Sequence, residues 1–130
     1  AVHQQQILAI RTQVFIIEQG VPEELEVDYL DPLSSHLLLF ESSVPVATGR
    51  LSPDGHIGRI AVLKNYRRKG YASQIIAKLE ALASHAGLRQ VKLGAQLQAL
   101  PLYEKLNYHP VGAVFMDAGI EHQFMQKTLA

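Results

Sequence analysis

The sequence of 130 residues contains no cysteine, which excludes disulfides, thiolate metal ligands and a cysteine nucleophile. It also lacks any stretch of roughly 18 consecutive apolar residues, so we expect no membrane partner. No basic-then-apolar leader opens it, so we expect no signal peptide, and the absence of cysteine fits a cytoplasmic protein. Its six histidines show no HxH or HxxxH pairing, so we expect no metal site.

An excess of either charge is missing as well. Twelve Lys and Arg balance twelve Asp and Glu, and without a basic excess we expect no nucleic-acid partner. The charges are nevertheless separated along the chain: residues 18–31 hold six carboxylates and no Lys or Arg, whereas residues 64–69 are basic. The acidic segment is either a solvated surface or a region that attracts a cationic amine.

Hydrophobic residues make up 48% of the chain, enough for one core, so we expect a single domain over residues 1–130. Apolar spacing and turn residues predict the elements in order: a helix at 4–17, a loop at 20–35, strands at 36–41, 46–52 and 56–63, a helix at 71–85, a strand at 90–95, a helix at 97–106, and strands at 111–116 and 122–129. This order predicts an α/β (α+β) fold with a mixed, mainly antiparallel central sheet flanked by helices.

The most informative segment joins the third predicted strand to the second long helix through a basic loop that contains Gly70. The first amides of a helix lack intrahelical partners and suit an anion, and glycine lets the backbone approach a ligand closely. The residues alone therefore indicate a phosphate or pyrophosphate site, or else an ordinary structural turn, because such short motifs are common.

This loop contains Arg67-x-x-Gly70-x-Ala72, which resembles the Arg/Gln-x-x-Gly-x-Gly/Ala signature of the GCN5-related N-acetyltransferase (GNAT) superfamily. The resemblance implies a GNAT fold that uses acetyl-coenzyme A as co-substrate and no metal. It implies a pyrophosphate cradle made of Arg67, Arg68, Lys69, Gly70, Tyr71, Ala72 and Ser73. It also implies that the preceding strand holds the pantetheine arm and offers an amide to the thioester carbonyl, through Ile60, Ala61 and Val62.

A second motif supports the resemblance. Residues 102–108 read LYEKLNY, similar to the Phe-Tyr-Glu-Lys-Leu-Gly-Phe helix of that superfamily. Tyr103 then takes the position of the tyrosine that protonates the departing thiolate in many relatives; alternatively, it only packs on the cofactor. Because a phenol has a reference pKa near 10 and a thiol near 8.5, full proton donation needs help from the surroundings.

Both ends of the chain narrow the resemblance to small ElaA-like acetyltransferases, through residues 10–22 and 118–125. The superfamily begins with a strand, but only residues 1–3 precede the first predicted helix here. Either that strand is missing or the sequence begins late. The strand edge left open could pair with a second copy, giving a homodimer.

Direct acetyl transfer to an amine requires a group that takes the proton of the amine. Glu18, His36 and His122 are the candidates, each with a purely structural alternative. Arg50 and Arg59 lie on predicted strands and either hold an acidic group of the acceptor or are solvated.

The leading hypothesis is therefore an enzyme that moves the acetyl group of acetyl-coenzyme A directly onto a primary amine of a small molecule or peptide. A second hypothesis is an acyl-coenzyme A-binding sensor or interaction module with little catalysis. A nucleotide-binding domain of another fold is a third, which the lack of a Walker-type or GxGxxG motif disfavours.

Overall fold

A computed structural model describes residues 2–28 and 30–129 of the chain. Its longer elements follow one another in this order: helix α1 (Val2–Arg11), a π-helix (Thr12–Glu18), α2 (Glu23–Glu26), strands β1 (Ser35–Glu41), β2 (Val44–Leu51) and β3 (Ile57–Val62), α3 (Tyr71–His85), β4 (Gln90–Gln96), α4 (Leu100–Lys105), β5 (His109–Asp117) and β6 (Ile120–Thr128). Single 3-10 turns lie at Asp31–Leu33, Lys64–Tyr66 and Leu97–Ala99.

The strands form two antiparallel sheets, ordered β1-β2-β3 and β4-β6-β5. Helix α3 crosses from the first sheet to the second, and one parallel bridge between His56 and Lys92 joins them. The predicted α/β class with mainly antiparallel strands is confirmed, but the single sheet we expected is divided in two. Because β3 and β4 pair only at that bridge within the described residues, a cleft opens between them.

Helix α3 closes over the first sheet and carries much of the core. Its buried residues recur at intervals of three and four, as an amphipathic helix requires: Ile75, Ile76, Leu79 and Ala83. The helix approaches β2 most closely at Gly49, where an added Cβ would lie 2.6 Å from Ile75 Cγ2 and 2.7 Å from Ile60 Cδ1. Glycine at this position therefore sets the spacing between α3 and the sheet.

The first predicted helix changes its winding part of the way along. From Thr12 to Glu18 it is a π-helix, and the amide of Gln19 donates to the carbonyl of Val14, five residues back. The wider turn lets Val14, Phe15 and Gln19 all border the cavities described below. Such π-turns concentrate at functional sites.

The predicted loop at residues 20–35 contains α2 and a 3-10 turn and folds against the end of α1. Strand β1 pairs only with β2 within residues 2–28 and 30–129, and no strand precedes α1 there. The outer edge of β1 is thus unpaired in the described part of the chain.

Candidate active site

A cavity of about 360 Å³ lies beside β3 and the start of α3. We call it the loop cavity. Its walls include nine of the ten residues that the sequence predicts for coenzyme A: Ile60, Ala61, Val62, Arg67, Arg68, Gly70, Tyr71, Ala72 and Ser73. The tenth, Lys69, points elsewhere, because its Nζ lies 3.0 Å from Glu41 Oε1. The fold therefore gathers residues of the strand, the loop and the helix around one space.

The backbone at the start of α3 is arranged to receive an anion. Arg68 and Gly70 both have positive φ, 65° and 81°. No side chain caps the helix, so the amides of Tyr71 and Ala72 have no capping partner among the described residues. Free amides at a helix start, with alternating left-handed residues before them, form a concave anion site.

Arg67 ties this loop to two other elements. Its Nε donates to the carbonyl of Val62 at 2.9 Å, and its two terminal nitrogens donate to the Glu18 carboxylate at 2.5 and 2.6 Å. The hydrogen bonds from Arg67 lower the pKa of Glu18. Glu18 borders neither cavity, so the geometry favours Glu18 as an anchor for Arg67 rather than as the predicted base.

A second cavity of about 350 Å³ lies in the cleft between the two sheets. We call it the cleft cavity. Gln19 and Ile60 line both cavities, so the two spaces adjoin where the π-helix ends and β3 passes. A side-chain hydrogen bond of 3.0 Å from Gln96 to Gln19 spans the same region. A thioester held along β3 would therefore reach the cleft cavity.

Tyr103 lines the cleft cavity from α4 and is only 9% exposed. Its ring packs edge-on against Tyr108, with the centroids 5.9 Å apart. Burial raises the pKa of Tyr103 to about 12, so its hydroxyl is protonated at neutral pH. Because no side chain or carbonyl of the described residues bonds that hydroxyl, it is available to a ligand.

His122 lines the cleft cavity from β6. Its Nδ1 lies 2.7 Å from the carbonyl of Ile120, and a carbonyl can only accept, so we assign the proton to Nδ1. In the neutral ring Nε2 then keeps a lone pair that can take a proton. The ring stacks on Phe115 at 5.7 Å, and Phe115 stacks on Phe124 at 4.4 Å, which makes one aromatic wall.

The other predicted histidine lies elsewhere, and a different one takes its place. His36 Nε2 is 2.8 Å from the carbonyl of Asp31, and His36 borders neither cavity, which favours its structural alternative. His56 does line the cleft cavity, and burial lowers its pKa. The sequence did not distinguish His56 from the remaining histidines, because its position depends on pairing with Lys92 on the distant strand β4.

Four of the six carboxylates of the acidic segment pair with arginines of the protein: Glu18, Glu26, Asp28 and Asp31. The other two, Glu23 and Glu24, are exposed, as a solvated surface would be. Arg11 Nε lies 2.8 Å from Glu26 Oε2, and its Nη1 lies 2.7 Å from Asp31. Arg50 binds Asp28 at 2.8 Å and Asp31 at 2.9 Å. Burial alone would raise the pKa of Asp31, but hydrogen bonds from Arg11, Arg50 and a backbone amide hold it well below its usual range. These carboxylates are compensated within the protein.

Arg59 joins the same network from a β-bulge in β3. Thr48 faces Ala61 and Arg50 faces Gly58, so two residues, Arg59 and Ile60, stand opposite the single Gly49. Arg59 has φ 51° and is one of the residues that line the cleft cavity. A bulge leaves its extra residue outside the ladder and redirects side chains, often beside an active site.

The fold shows two further properties that bear on partners. Among the helices in residues 2–28 and 30–129, none is both long and apolar enough to cross a membrane. In that same part of the chain, no three His, Asp or Glu side chains come together as metal ligands would.

Comparison with known proteins gives a consistent result. The family profile described as "Acetyltransferase (GNAT) domain" matches residues 1–129. The chain is 39% identical over 122 residues to an uncharacterized N-acetyltransferase of Bacillus subtilis, YjcF, covering 91% of this chain and 87% of that protein. It superposes on the crystal structure of Escherichia coli ElaA with a TM-score of 0.85 and 28% identity, covering 98% of this chain and 90% of ElaA. An acyl-CoA N-acyltransferase from Pseudomonas aeruginosa gives the same score and identity over 95% of this chain and 89% of that one.

Proposed function

The chain belongs to the GNAT family of acetyltransferases, and we propose that it moves the acetyl group of acetyl-coenzyme A directly onto a primary amine of a small molecule or peptide. One observation carries this proposal: the loop cavity and the cleft cavity adjoin at Gln19 and Ile60. The first offers a phosphate-binding backbone, and the second offers a buried phenol and a histidine.

Coenzyme A would lie in the loop cavity. The free amides at Tyr71 and Ala72 would hold the pyrophosphate, and Arg68 adds a positive charge that no acidic side chain of the described residues neutralises. The edge of β3 that faces away from β2 is unpaired from Ile60 to Val62 in the described residues, so it can bond the pantetheine amides.

The thioester would sit where the cavities meet. A backbone amide at the bulge, beside Ile60, supports the carbonyl oxygen as it becomes an oxyanion. The neutral amine attacks the carbonyl carbon, the C–N bond forms and the C–S bond breaks. The hydroxyl of Tyr103 donates a hydrogen bond that stabilises the leaving thiolate, and the proton that the amine loses ends on that sulfur, so Tyr103 itself is unchanged.

His122 is the group we assign to remove the proton of the amine. Its Nδ1–H is fixed by the Ile120 carbonyl, which leaves Nε2 as the acceptor. His56 lines the same cavity and is the second candidate; its lowered pKa keeps it neutral. His56 packs edge-on against Phe124, and His122 stacks on Phe115, so aromatic contacts restrain both imidazole rings.

An acyl-coenzyme A-binding module with little catalysis is the alternative. A module would be expected to fill the acceptor space with its own side chains. The cleft cavity is open and carries polar groups, including His122, Gln96 and Arg59. This favours the enzyme.

Calorimetric titration with acetyl-coenzyme A, beside desulfo-coenzyme A and ATP, tests the cofactor. We expect both coenzyme A species to bind and ATP to bind weakly or not at all. A panel of primary amines, with thiol release as the readout, then tests transfer. Binding without thiol release for every amine would favour the module, and failure to bind any coenzyme A species would overturn both readings.

A further inference from the structure

Among the described residues, Arg59 is the one Lys or Arg side chain that lines the cleft cavity. Its side chain is 25% exposed, and it stands next to Ile60, where the two cavities meet. We propose that Arg59 binds a carboxylate of the acceptor, so that the substrate is an amine that also bears a carboxylate. This inference rests on the proposed function and names the class of its acceptor.

Arg59 pairs with its two carboxylates at longer distances than the neighbouring arginines do. The Glu26 carboxylate is held by Arg11 at 2.8 Å, and the Asp28 carboxylate is held by Arg50 at 2.8 Å. Arg59 shares both carboxylates at the longer distance of 3.2 Å. The closest partners of these acids are therefore the other two arginines.

The hydrogen bonds of Arg59 leave part of its guanidinium available. Nε donates to the carbonyl of Glu26 at 3.0 Å, and Nη2 contacts Asp28 and the carbonyl of Leu25. Nη1 has no hydrogen-bond partner among the described residues. Burial, and then nearby Arg50, lower the pKa of Arg59, whereas Asp28 and Glu26 oppose that change. A planar carboxylate is the group that a guanidinium edge matches best.

The backbone supports the same reading. Arg59 has a left-handed φ of 51° in the middle of a strand, a conformation that an arginine rarely adopts. Such residues persist where the surrounding structure holds them, and they cluster at ligand sites. Here the bulge places Arg59 in the wall of the cleft cavity, next to Ile60, where the two cavities meet.

The other residues that line the cleft cavity indicate which kind of substrate body it accommodates. One wall is the stack of His122, Phe115 and Phe124, and opposite elements contribute Phe15, Val21 and Leu25. The acids that line the cavity are Glu26, which is 2% exposed and bound by Arg11, and Asp117 on the exposed β5–β6 hairpin. These surroundings suit a compact apolar or aromatic body and do not suit a polyamine, which needs several free carboxylates.

Phenylalanine and phenethylamine form a matched pair of probes, because they differ only in the carboxylate. The measured quantity is kcat/KM for thiol release, corrected for the neutral fraction of each amine at the assay pH. We expect a roughly 10- to 100-fold preference for phenylalanine, as one charge-assisted hydrogen-bonded pair provides. Arg59→Gln should abolish the preference, and Arg59→Lys should retain part of it.

Arg89→Gln is the matched control, because Arg89 is exposed, lines neither cavity and lies outside the ion-pair network of Arg59. It should leave the preference unchanged. Equal rates for the two probes, faster reaction of phenethylamine, or a preference that survives in Arg59→Gln would each overturn the proposal.

A binding measurement separates this proposal from the proposed function. Calorimetry on the coenzyme A-loaded protein compares N-acetylphenylalanine with N-acetylphenethylamine and needs no turnover. Tighter binding of the carboxylated compound, lost in Arg59→Gln, would support the site even if no amine were acetylated. Equal binding in wild type would reject it even if amines were acetylated. If the Arg59 variants fold poorly, the comparison of the two compounds on the wild-type protein is still a sufficient test.

Discussion

The guanidinium of Arg67 donates to the carbonyl of Val62 at 2.9 Å and thereby fastens the loop before α3 to the strand that ends there. Its other nitrogens grip Glu18 at the end of the π-helix. Arg67 thus shapes the loop that we propose holds the pyrophosphate, whereas Arg68 contacts no acid among the described residues and can meet a phosphate directly. Replacing Arg67 and replacing Arg68 should therefore weaken cofactor binding in different ways.

We expect Arg68→Ala to weaken acetyl-coenzyme A binding about 3- to 10-fold and to reduce its salt dependence, because a surface charge that faces a phosphate is screened by salt. Arg67→Ala should weaken binding at every salt concentration, because the loop loses its anchor. Calorimetric titration at low and high salt measures both. Glu18→Gln is the control for Arg67→Ala, because it removes the charge that Arg67 binds and leaves Arg67 in place. Affinities equal to wild type in both arginine variants would refute the proposed pyrophosphate cradle.

Tyr103→Phe should lower kcat by roughly 100-fold, as loss of a hydrogen-bond donor to a developing charge typically does, and should leave acetyl-coenzyme A affinity nearly intact. Since burial holds the pKa of Tyr103 at about 12, its hydroxyl stays protonated well above pH 10. Its titration should therefore cause no loss of rate where an ordinary tyrosine would ionise, near pH 10. Unchanged turnover in the variant would leave Tyr103 with the packing role alone.

The identity of the base can be settled by three parallel variants. We expect His122→Ala to lower kcat/KM by about 100-fold. His36→Ala should be close to wild type, because His36 borders neither cavity. A larger loss in His56→Ala than in His122→Ala would transfer the role to His56, and full activity in both would remove histidine from the reaction.

The ion-pair network should make the protein sensitive to acid. The pKa of Asp31 is lower in the folded protein than in the unfolded chain, so its contribution to stability is present above about pH 4 and is lost as the pH falls below that. Asp31→Asn should cost about 3 kcal/mol at neutral pH, because it leaves Arg11 and Arg50 less compensated. Urea unfolding from pH 7 to pH 3 measures both effects, and an equal slope in the variant and wild type would contradict the assignment.

The contact between α3 and β2 offers a test of packing. Gly49→Ala should lower the free energy of unfolding by about 1–3 kcal/mol, because the new methyl group meets Ile75 and Ile60. Gly58→Ala is the matched control on the neighbouring strand: nothing lies within 4 Å of its added Cβ, so it should change stability by less than about 0.5 kcal/mol. Equal effects of the two substitutions would show that α3 can move away.

Local signals made much of the fold predictable. Apolar spacing predicted helix α3 at the residues where it occurs, and the basic segment with Gly70 predicted the turn that precedes it. The resemblance to the GNAT superfamily and to ElaA-like proteins is confirmed by the comparisons, and the motif residues, apart from Lys69, gather around one cavity. The motif could predict these residues because the strand, the loop and the helix that carry them follow one another directly in the chain.

Features that depend on distant partners could not be predicted. Over the seven residues of Thr12–Glu18, a π-helix and an α-helix place apolar residues too similarly to be told apart. The partners of Arg11 lie 15 and 20 residues away, so the acidic segment gave no sign of being neutralised. His56 lies in the site beside Lys92 of β4, a pairing of distant segments that no local pattern encodes.

Gln19 and Ile60 line both cavities. A ligand in the loop cavity would therefore form part of the wall that the acceptor contacts in the cleft cavity. The kinetic consequence is an order of addition: the acceptor should bind productively only after the nucleotide-bearing donor has entered. By linkage, each ligand should then tighten the other by the same factor. Initial-rate patterns with a dead-end acceptor analogue would display this as inhibition that deepens with donor concentration.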